Sequence, residues 1–519
     1  MGMKKRENEI FLVNMVLENE YTIENQPYHY LFFKIEEEDY PVLKTVKMKI
    51  RVFSGQAVLI LNEYRNTEHI RLEGNKIVEF PANQCESGEN VLAYKGEIEI
   101  ESVSIIRENS EGQSVLTETG NREKQRSFGV ETGIKAAGIR AAAEFLLNSQ
   151  IPFCTGSSQF EGSCFAIYDY TNGCHRMPAW LWSDAPAVSA ALAIIRSGKY
   201  PELKEKLEQL ALSIGETFLK TQIKEEAEET CGALVSRYRY YGKTQRSFDC
   251  LLGPNDTSFS VKWALLPLYE YTGEERYLHA ALKAMDWVER CVYGLDYIPS
   301  HYYFEEKRWE GQAFVDTGFC AEGFSRCQEM GLRDYKKTIE FLMTRFLEQF
   351  SLGNGWYGQN YIPGKGVDTR LFTRGQAWVL EGLLACRRAL GQGQFEREAE
   401  NLVAKMICMQ NPDGSFSYLL GHQEPMERDR KGSGICEKAT AIFAWLFLEY
   451  DRLYSDTAAR IAASKALAWC EHNMTMEKGA GYGGIRAAGL ASGITGLPFL
   501  KVATGYANAY YILAKLMQR

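Results

Sequence analysis

Residues 259–291 read FSVKWALLPLYEYTGEERYLHAALKAMDWVERC, and they hold two helices of opposite character. The first, Phe259 to Tyr271, carries Val261, Trp263, Ala264, Leu265, Leu266 and Leu268 with a single charge, Lys262, before its end. The second, Glu275 to Cys291, sets Tyr277, Ala281, Ala284, Trp287 and Val288 at helical spacing between charged residues. A helix that is apolar all round must be buried all round, whereas an amphipathic one buries a single stripe. The pair therefore predicts an inner helical layer covered by a half-exposed outer one.

The same alternation recurs along the chain. Inner helices are expected to begin near Asp184, Asp256, Asp316, Gln376, Glu437 and Tyr506, at spacings of 72, 60, 60, 61 and 69 residues. Each interval accommodates two helices and their loops, and each inner helix follows a more polar outer one, the first at Ile134 to Asn148. A period of this kind predicts a repeat architecture of twelve helices in six hairpins, an all-α (α/α)6 toroid closed by its two ends. Asp, Asn or Ser before a helix is ordinarily an N-cap. In a toroid, however, successive inner helices run parallel, their N-terminal ends gather at one mouth, and a capping side chain can face a shared pocket.

Working outward, the first hundred residues alternate with period two, as in Val46, Met48, Ile50 and Val52 against Lys47, Lys49 and Arg51. Similar pieces lie at Ile10 to Leu17, His29 to Ile35, His69 to Leu72, Ile77 to Phe80 and Ile98 to Ile106, which predicts an N-terminal β-sandwich. Its aromatic residues Tyr28, Tyr30, Phe32 and Phe33 read as sandwich core. Arg107 to Gly133 is polar and aperiodic. The expected organisation is a β-sandwich over 1–110, a linker over 111–133 and the toroid over 134–519, consistent with a length of 519 residues that exceeds a single core.

Composition narrows the function. The longest apolar run, Ala441 to Leu448, is far short of a membrane span. The basic start at Lys4 passes straight into acidic residues, without the apolar core of a secretory signal, and a cytoplasmic protein is expected. A net charge of -8 gives no general footprint for nucleic acid, so an anionic ligand must be held by local arginines. Thirteen cysteines without a CxxC pair suggest reduced core thiols rather than disulfides or zinc, and no metal or other cofactor is expected. Gly479 to Gly484 lacks the strand before it and the Lys-Ser/Thr after it that a phosphate loop needs.

Two carboxylates carry the chemistry. Asp256 in Gly-Pro-Asn-Asp-Thr-Ser-Phe and Asp316 in Phe-Val-Asp-Thr-Gly-Phe open inner helices of adjacent repeats. Paired carboxylates at one pocket suit glycosyl chemistry, where one group keeps a proton to donate while the other holds a charge or orients water. The block Leu371-Phe372-Thr373-Arg374-Gly375-Gln376-Ala377-Trp378 opens the next inner helix. Arg374 is suited to clamp a carboxylate, and Trp378, one turn later on the same face, to stack on a sugar ring.

Three stretches resemble one family, the unsaturated glucuronyl and rhamnogalacturonyl hydrolases of glycoside hydrolase families 88 and 105. They are Arg374-Gly375-Gln376-Ala377-Trp378 followed by Glu381-Gly382-Leu383; Asn255-Asp256-Thr257-Ser258-Phe259 with Tyr271 to Leu278 behind it; and Val315-Asp316-Thr317. The likeness covers roughly residues 134–519. It implies an enzyme that protonates C4 of a C4=C5 enol ether on a terminal sugar and adds water at C5, after which the hemiketal collapses and releases the remaining saccharide. By motif match Asp316 is the general acid and base, Asp256 its partner, and Arg374, Gln376 and Trp378 hold an oligosaccharide that is expected to be anionic. Trp180 and Trp182, at the mouth of the first inner helix, are stacking candidates by position. Between Asp316 and Arg374, where the family has a substrate-binding His, this chain offers Trp356, Tyr357, Gln359 and Asn360, and Trp356 and Tyr357 join the candidates.

Two other enzyme classes share such a toroid. Terpenoid cyclases are brought to mind by Gln410 to Phe416 and by Asp316 to Glu322, but one such repeat is also what an Asp-Gly turn produces. Sugar epimerases depend on paired histidines, and none of the seven here pairs at an inner helix start. A third reading is a toroid that binds saccharide without turnover, its carboxylates serving as caps.

Overall fold

A computed structural model describes residues 9–11, 16–23, 26–35, 43–61, 64–65, 74–81, 88–107, 134–151, 162–170, 174–240, 248–422, 434–487 and 502–518. They belong to two compact units, Met1–Glu131 with Tyr240–Phe248, and Thr132–Arg239 with Asp249–Arg519.

The first unit is antiparallel β structure: β1 (Glu9–Phe11), β2 (Val16–Ile23), β3 (Gln26–Ile35), β4 (Leu43–Leu61), β5 (Tyr64–Arg65), β6 (Gly74–Pro81) and β7 (Gly88–Arg107). Period-two alternation does here what it predicts. Val46 on β4 lies opposite Phe80 on β6, both are buried with Val78, and Ile77 and Glu79 face outward. All seven strands join one hydrogen-bonded sheet, in the order β2-β3-β7-β4-β5 with β1 on β7 and β6 on β4. The two separate sheets expected of a sandwich are not distinguished among the described residues. The long strands β4 and β7 instead serve the whole sheet, with register shifts between them that bend and twist a ladder. The expected strand at His69 to Leu72 lies outside the described residues.

The second unit is helical. Its hairpins pair outer α1 (Ile134–Asn148) with inner α2 (Leu181–Ser197) and outer α3 (Lys204–Thr221) with the inner segments α4 (Pro254–Ser260) and α5 (Leu266–Thr272). They continue with α6 (Glu275–Gly294) and α7 (Phe319–Glu329), α8 (Lys336–Phe350) and α9 (Thr373–Leu390), α10 (Glu396–Met409) and α11 (Glu437–Tyr454), and α12 (Thr457–His472) and α13 (Gly505–Met517). Inner helices α2, α4, α7, α9, α11 and α13 pack in that order and α13 packs back on α2, while the outer helices pack around them. The ring is closed.

Burial follows the sequence pattern. On α11 every residue from Glu437 to Tyr450 is buried, whereas α6 buries one stripe that includes Tyr277, Ala281, Ala284, Trp287 and Val288. Each such large side chain contributes roughly 1.5–3 kcal/mol on leaving water. Close approach of the inner helices depends on glycine at two places. A Cβ on Gly323 of α7 would stand 2.6 Å from Ser258 Oγ and 2.8 Å from the Ser258 carbonyl on α4, and one on Gly382 of α9 would meet Gly318 at 3.1 Å. Ser258 uses the same proximity, donating to the Cys320 carbonyl at 2.7 Å and accepting from the Gly323 N–H at 3.0 Å.

Between α4 and α5 the helix widens into a π-turn at Val261–Leu265. Pro267 has no N–H to offer the Trp263 carbonyl, and Ser189 Oγ of α2 donates to that carbonyl at 2.6 Å instead.

Short strands occupy every outer-to-inner connection. β8 (Phe165–Asp169) and β9 (Cys174–Pro178) precede α2, and β10 (Val235–Tyr240) and β11 (Phe248–Leu252) precede α4. β12 (Tyr302–Tyr303), β13 (Arg308–Trp309) and β14 (Ala313–Phe314) precede α7. β15 (Asn360–Ile362), β16 (Gly366–Val367) and β17 (Arg370–Phe372) precede α9, β18 (Leu419–His422) precedes α11, and β19 (Val502–Thr504) precedes α13. Among the described residues no helix is long and apolar enough to cross a membrane, and the described cysteines are free thiols, most of them buried.

Candidate active site

The N-terminal ends of the inner helices α2, α4, α7, α9 and α13 meet at a cavity of about 340 Å³. Trp180 and Trp182 reach it from the start of α2, Asp256 from α4, Asp316 and Phe319 from the entry of α7, Arg374 and Trp378 from α9, and Tyr506 from α13. The parallel inner ring expected from the sequence thus brings both carboxylates and the arginine to one place.

Asp256 sits in the first turn of α4, behind Gly253 and Pro254. The Gly253 N–H donates to Ser236 Oγ at 2.8 Å, which anchors the turn to β10. Burial raises the Asp256 carboxyl above the ordinary aspartate range, while His301, a hydrogen bond from Ser236, and Arg237 pull the other way. Asp316 lies in the 3-10 turn Val315–Gly318 that leads into α7. Its Oδ1 accepts from Asn255 Nδ2 at 2.7 Å. Burial first and the Asp256 charge second push Asp316 up to about 8, against the Asn255 hydrogen bond. Both neighbouring carboxyls are thus raised, and Asp316 at about 8 is in the range where a carboxyl holds a proton at neutral pH.

Next to the Asp316 turn, the start of α9 adds a cationic and aromatic lining. The Arg374 guanidinium lies 5.1 Å from the centre of the Trp378 ring and 6.0 Å from that of Tyr418. Arg374 Nε and Gln359 Oε1 are buried without a partner in the protein, and both residues line the cavity. Buried polar atoms are nearly always satisfied, so a donor and an acceptor left over in a cavity mark a ligand-facing surface. Trp180 and Trp182 pack edge to face at 5.6 Å, Trp182 against Tyr506 at 5.7 Å, and Arg237 stands over Trp180 at 4.7 Å. The residue before Trp180, Ala179, holds φ 55, a left-handed conformation that costs a non-glycine residue about 1 kcal/mol or more.

Three expected sugar contacts lie elsewhere. Gln376 is fully buried, and its amide donates to the Tyr357 carbonyl at 2.7 Å and accepts from the Tyr357 N–H at 3.3 Å. Neither Gln376, Tyr357 nor Trp356 lines the cavity. The helix explains it: positions four apart share a face, as Arg374 and Trp378 do, whereas two residues turn the side chain through roughly 200°. Trp356 is packed beneath Lys405, whose Nζ is 5.0 Å from its ring. Gln410 to Phe416 is a turn between α10 and α11, in which Gly414 has φ 91 and Asp413 Oδ1 accepts from Ser415 N and Oγ.

The cavity also holds residues that sequence reasoning missed: Arg237, His301, Arg370, Tyr418 and Tyr506. Most come from the short strands or their loops, where two or three residues carry no periodic signal. His301 Nδ1 is 3.2 Å from Glu310 Oε2. Arg370 is held by two contacts to Asp368 Oδ2, at 3.0 and 2.7 Å.

No family model matches the chain, and no curated protein is similar to it in sequence. Solved structures are similar in fold. The unsaturated glucuronyl hydrolase from Bacillus sp. GL1, responsible for the degradation of glycosaminoglycan, aligns with a TM-score of 0.55 and 16% identity over 74% of this chain and 96% of that one. The toroid has the fold of the unsaturated glucuronyl hydrolases. An unsaturated glucuronyl hydrolase specific for heparin aligns with a TM-score of 0.55 and 14% identity over 75% of this chain and 97% of that one. The cellobiose 2-epimerase of Spirochaeta thermophila DSM 6192 aligns with a TM-score of 0.53 and 13% identity, covering 74% and 95%. The fold therefore hosts more than one sugar chemistry, and the side chains must decide between them.

Proposed function

We propose that the helical unit is a glycoside hydrolase-like enzyme that hydrates the C4=C5 enol ether of an unsaturated uronyl residue at the end of an oligosaccharide. The observation that carries this reading is the meeting of Asp256, Asp316 and Arg374 in one cavity, with Asp316 pushed up to about 8 by burial and by the Asp256 charge. Asp316 donates that proton to C4, and the double-bond electrons form the new C–H bond. Positive charge develops at C5 and is shared with the ring oxygen. Water adds at C5, and the hemiketal opens and releases the saccharide. Asp256 supplies negative charge beside the developing cation. Arg374 faces the sugar carboxylate, and Trp182 and Trp378 offer aromatic surface to the ring. The chemistry is assigned to the helical unit and none of it to residues 1–110. The epimerase reading is less well supported, because one histidine, His301, lines the cavity among the described residues.

Incubation with an unsaturated uronyl disaccharide tests the proposal, because hydration destroys the ultraviolet absorbance of the conjugated double bond. Wild-type protein is expected to bleach it. Asp316→Asn is expected to lower kcat by about 10²–10⁴, the range of general acid catalysis, with circular dichroism unchanged. The acid must be protonated to work, so activity falls as pH rises through about 8. Binding without bleaching across a panel of such disaccharides would leave a saccharide-binding toroid.

A further inference from the structure

We infer that His301 is a third catalytic group, the base that takes the proton from the water adding at C5, and that Glu310 is the residue that positions it. This role presupposes the hydration reading above. His301 does not come from an inner helix. It precedes β12, and the hairpin of β12 with β13 pairs Tyr302 with Trp309 and Tyr303 with Arg308, bringing Glu310 back beside it. The Glu310 N–H donates to the His301 carbonyl at 2.9 Å, and the side chains meet at 3.2 Å between His301 Nδ1 and Glu310 Oε2.

Glu310 is itself held. Gln312 Nε2 donates to its Oε1 at 2.9 Å, and the Tyr297 hydroxyl donates to its carbonyl at 3.2 Å. A carboxylate at Nδ1 selects the tautomer with the proton on that nitrogen and leaves Nε2 as the acceptor. His301 lines the cavity that contains Asp256 and Asp316, so the accepting nitrogen belongs to a side chain already at the site. The hairpin is short and joins β11, which leads directly into the Asp256 turn. A group seated there is fixed relative to both carboxylates, as proton transfer demands.

The proton balance is complete. Asp316 gives its proton to C4, and water forms its bond to C5 and loses a proton to His301 Nε2. The imidazolium then returns a proton through solvent to the Asp316 carboxylate. Acid and base are then separate groups, a departure from the resemblance, which gives both roles to Asp316. The charged groups around His301 are Glu310 on its own hairpin, Asp256 from α4 and Arg237 from β10, with Asp316 lining the same cavity.

Turnover of an unsaturated uronyl disaccharide by the full chain, followed from acid to alkaline pH, provides the test. The wild type is expected to lose activity on the alkaline side as Asp316 gives up its proton near pH 8. His301→Ala and His301→Gln are expected to lower kcat about 10²-fold or more with KM within about threefold. Imidazole in the medium is expected to restore part of the His301→Ala rate, which a merely structural role would not allow. Glu310→Gln weakens the contact that orients the ring, so kcat is expected to fall by less than in either His301 variant, with KM unchanged and no rescue by imidazole. Unchanged kcat in both His301 variants, or a rise in KM alone with the wild-type pH profile, overturns the role while the hydration reading stands. Failure of the wild type to turn over any such disaccharide overturns the reading itself, and this role with it.

Discussion

The inner helices carry two buried ionic assemblies, and they are built on opposite principles. At the mouth, Asp256 and Asp316 stand beside each other with their carboxyls pushed upward by burial. Six residues further on, roughly 9 Å deeper, Lys262 of the π-turn after α4 pairs with Glu322 of α7. Arg388 of α9 binds Glu322, Glu329 and Glu449, each at 3.0 Å. Arg452 adds a second cation to Glu449 at 2.7 Å. Burial alone would raise Glu449, but its hydrogen bond from Arg452 and the Arg388 charge hold it below the ordinary range. Deep in the ring the acids share a set of cations held against them; at the mouth the acids have each other and a cavity. Glu381 shows the boundary between the two, since burial and the Glu322 charge raise it although Tyr510 donates to it at 2.7 Å. Buried charge is therefore not by itself a sign of catalysis. Charge left incompletely compensated next to a cavity is.

The contrast breaks if the deep assembly proves catalytic. Arg388→Met removes the cation that Glu322, Glu329 and Glu449 share, and breaking such a buried network typically costs about 3–5 kcal/mol. Denaturant unfolding is expected to show that loss, with kcat per folded molecule unchanged. A fall in kcat without a fall in stability would merge the two assemblies into one site.

Arg374 offers the converse test. Removing a charged hydrogen-bond donor from a binding wall costs about 1.5–3 kcal/mol, so Arg374→Ala is expected to lower kcat/KM by about 10–100-fold, mainly through KM, with the unfolding midpoint little changed. The smallest effect separates two residues of one helix. Gln376→Ala removes the clamp on the Tyr357 backbone and is expected to cost about 1 kcal/mol in stability and leave KM unaltered.

How much of this was legible in the sequence depends on the length of the signal. The ring was readable because an all-apolar inner helix recurs at nearly constant spacing, and that period also located the starts of α2, α4, α7, α9, α11 and α13. Asp256, Asp316 and Arg374 were readable because helix starts in a closed ring converge. Gln376 was misplaced because a motif of adjacent residues says nothing of which side each faces, and the helix turns it away from Arg374. Trp356 and Tyr357 are aromatic residues of the kind a sugar site uses, but the same surface serves equally well for packing. His301 and Glu310 could not be paired, since a hairpin of two-residue strands brings them together and nothing periodic marks it. The deep network escaped notice for a similar reason: Lys262, Glu322 and Arg388 lie on three helices far apart in the chain.

The central claim is that Asp316 delivers a proton to carbon rather than to a glycosidic oxygen. Turnover of an unsaturated uronyl disaccharide in D₂O, read by NMR of the released uronyl product, addresses it directly. The account predicts one deuterium at C4, with the double bond gone, and no such product from Asp316→Asn. Release of the saccharide with the double bond intact and no deuterium at C4 would contradict it.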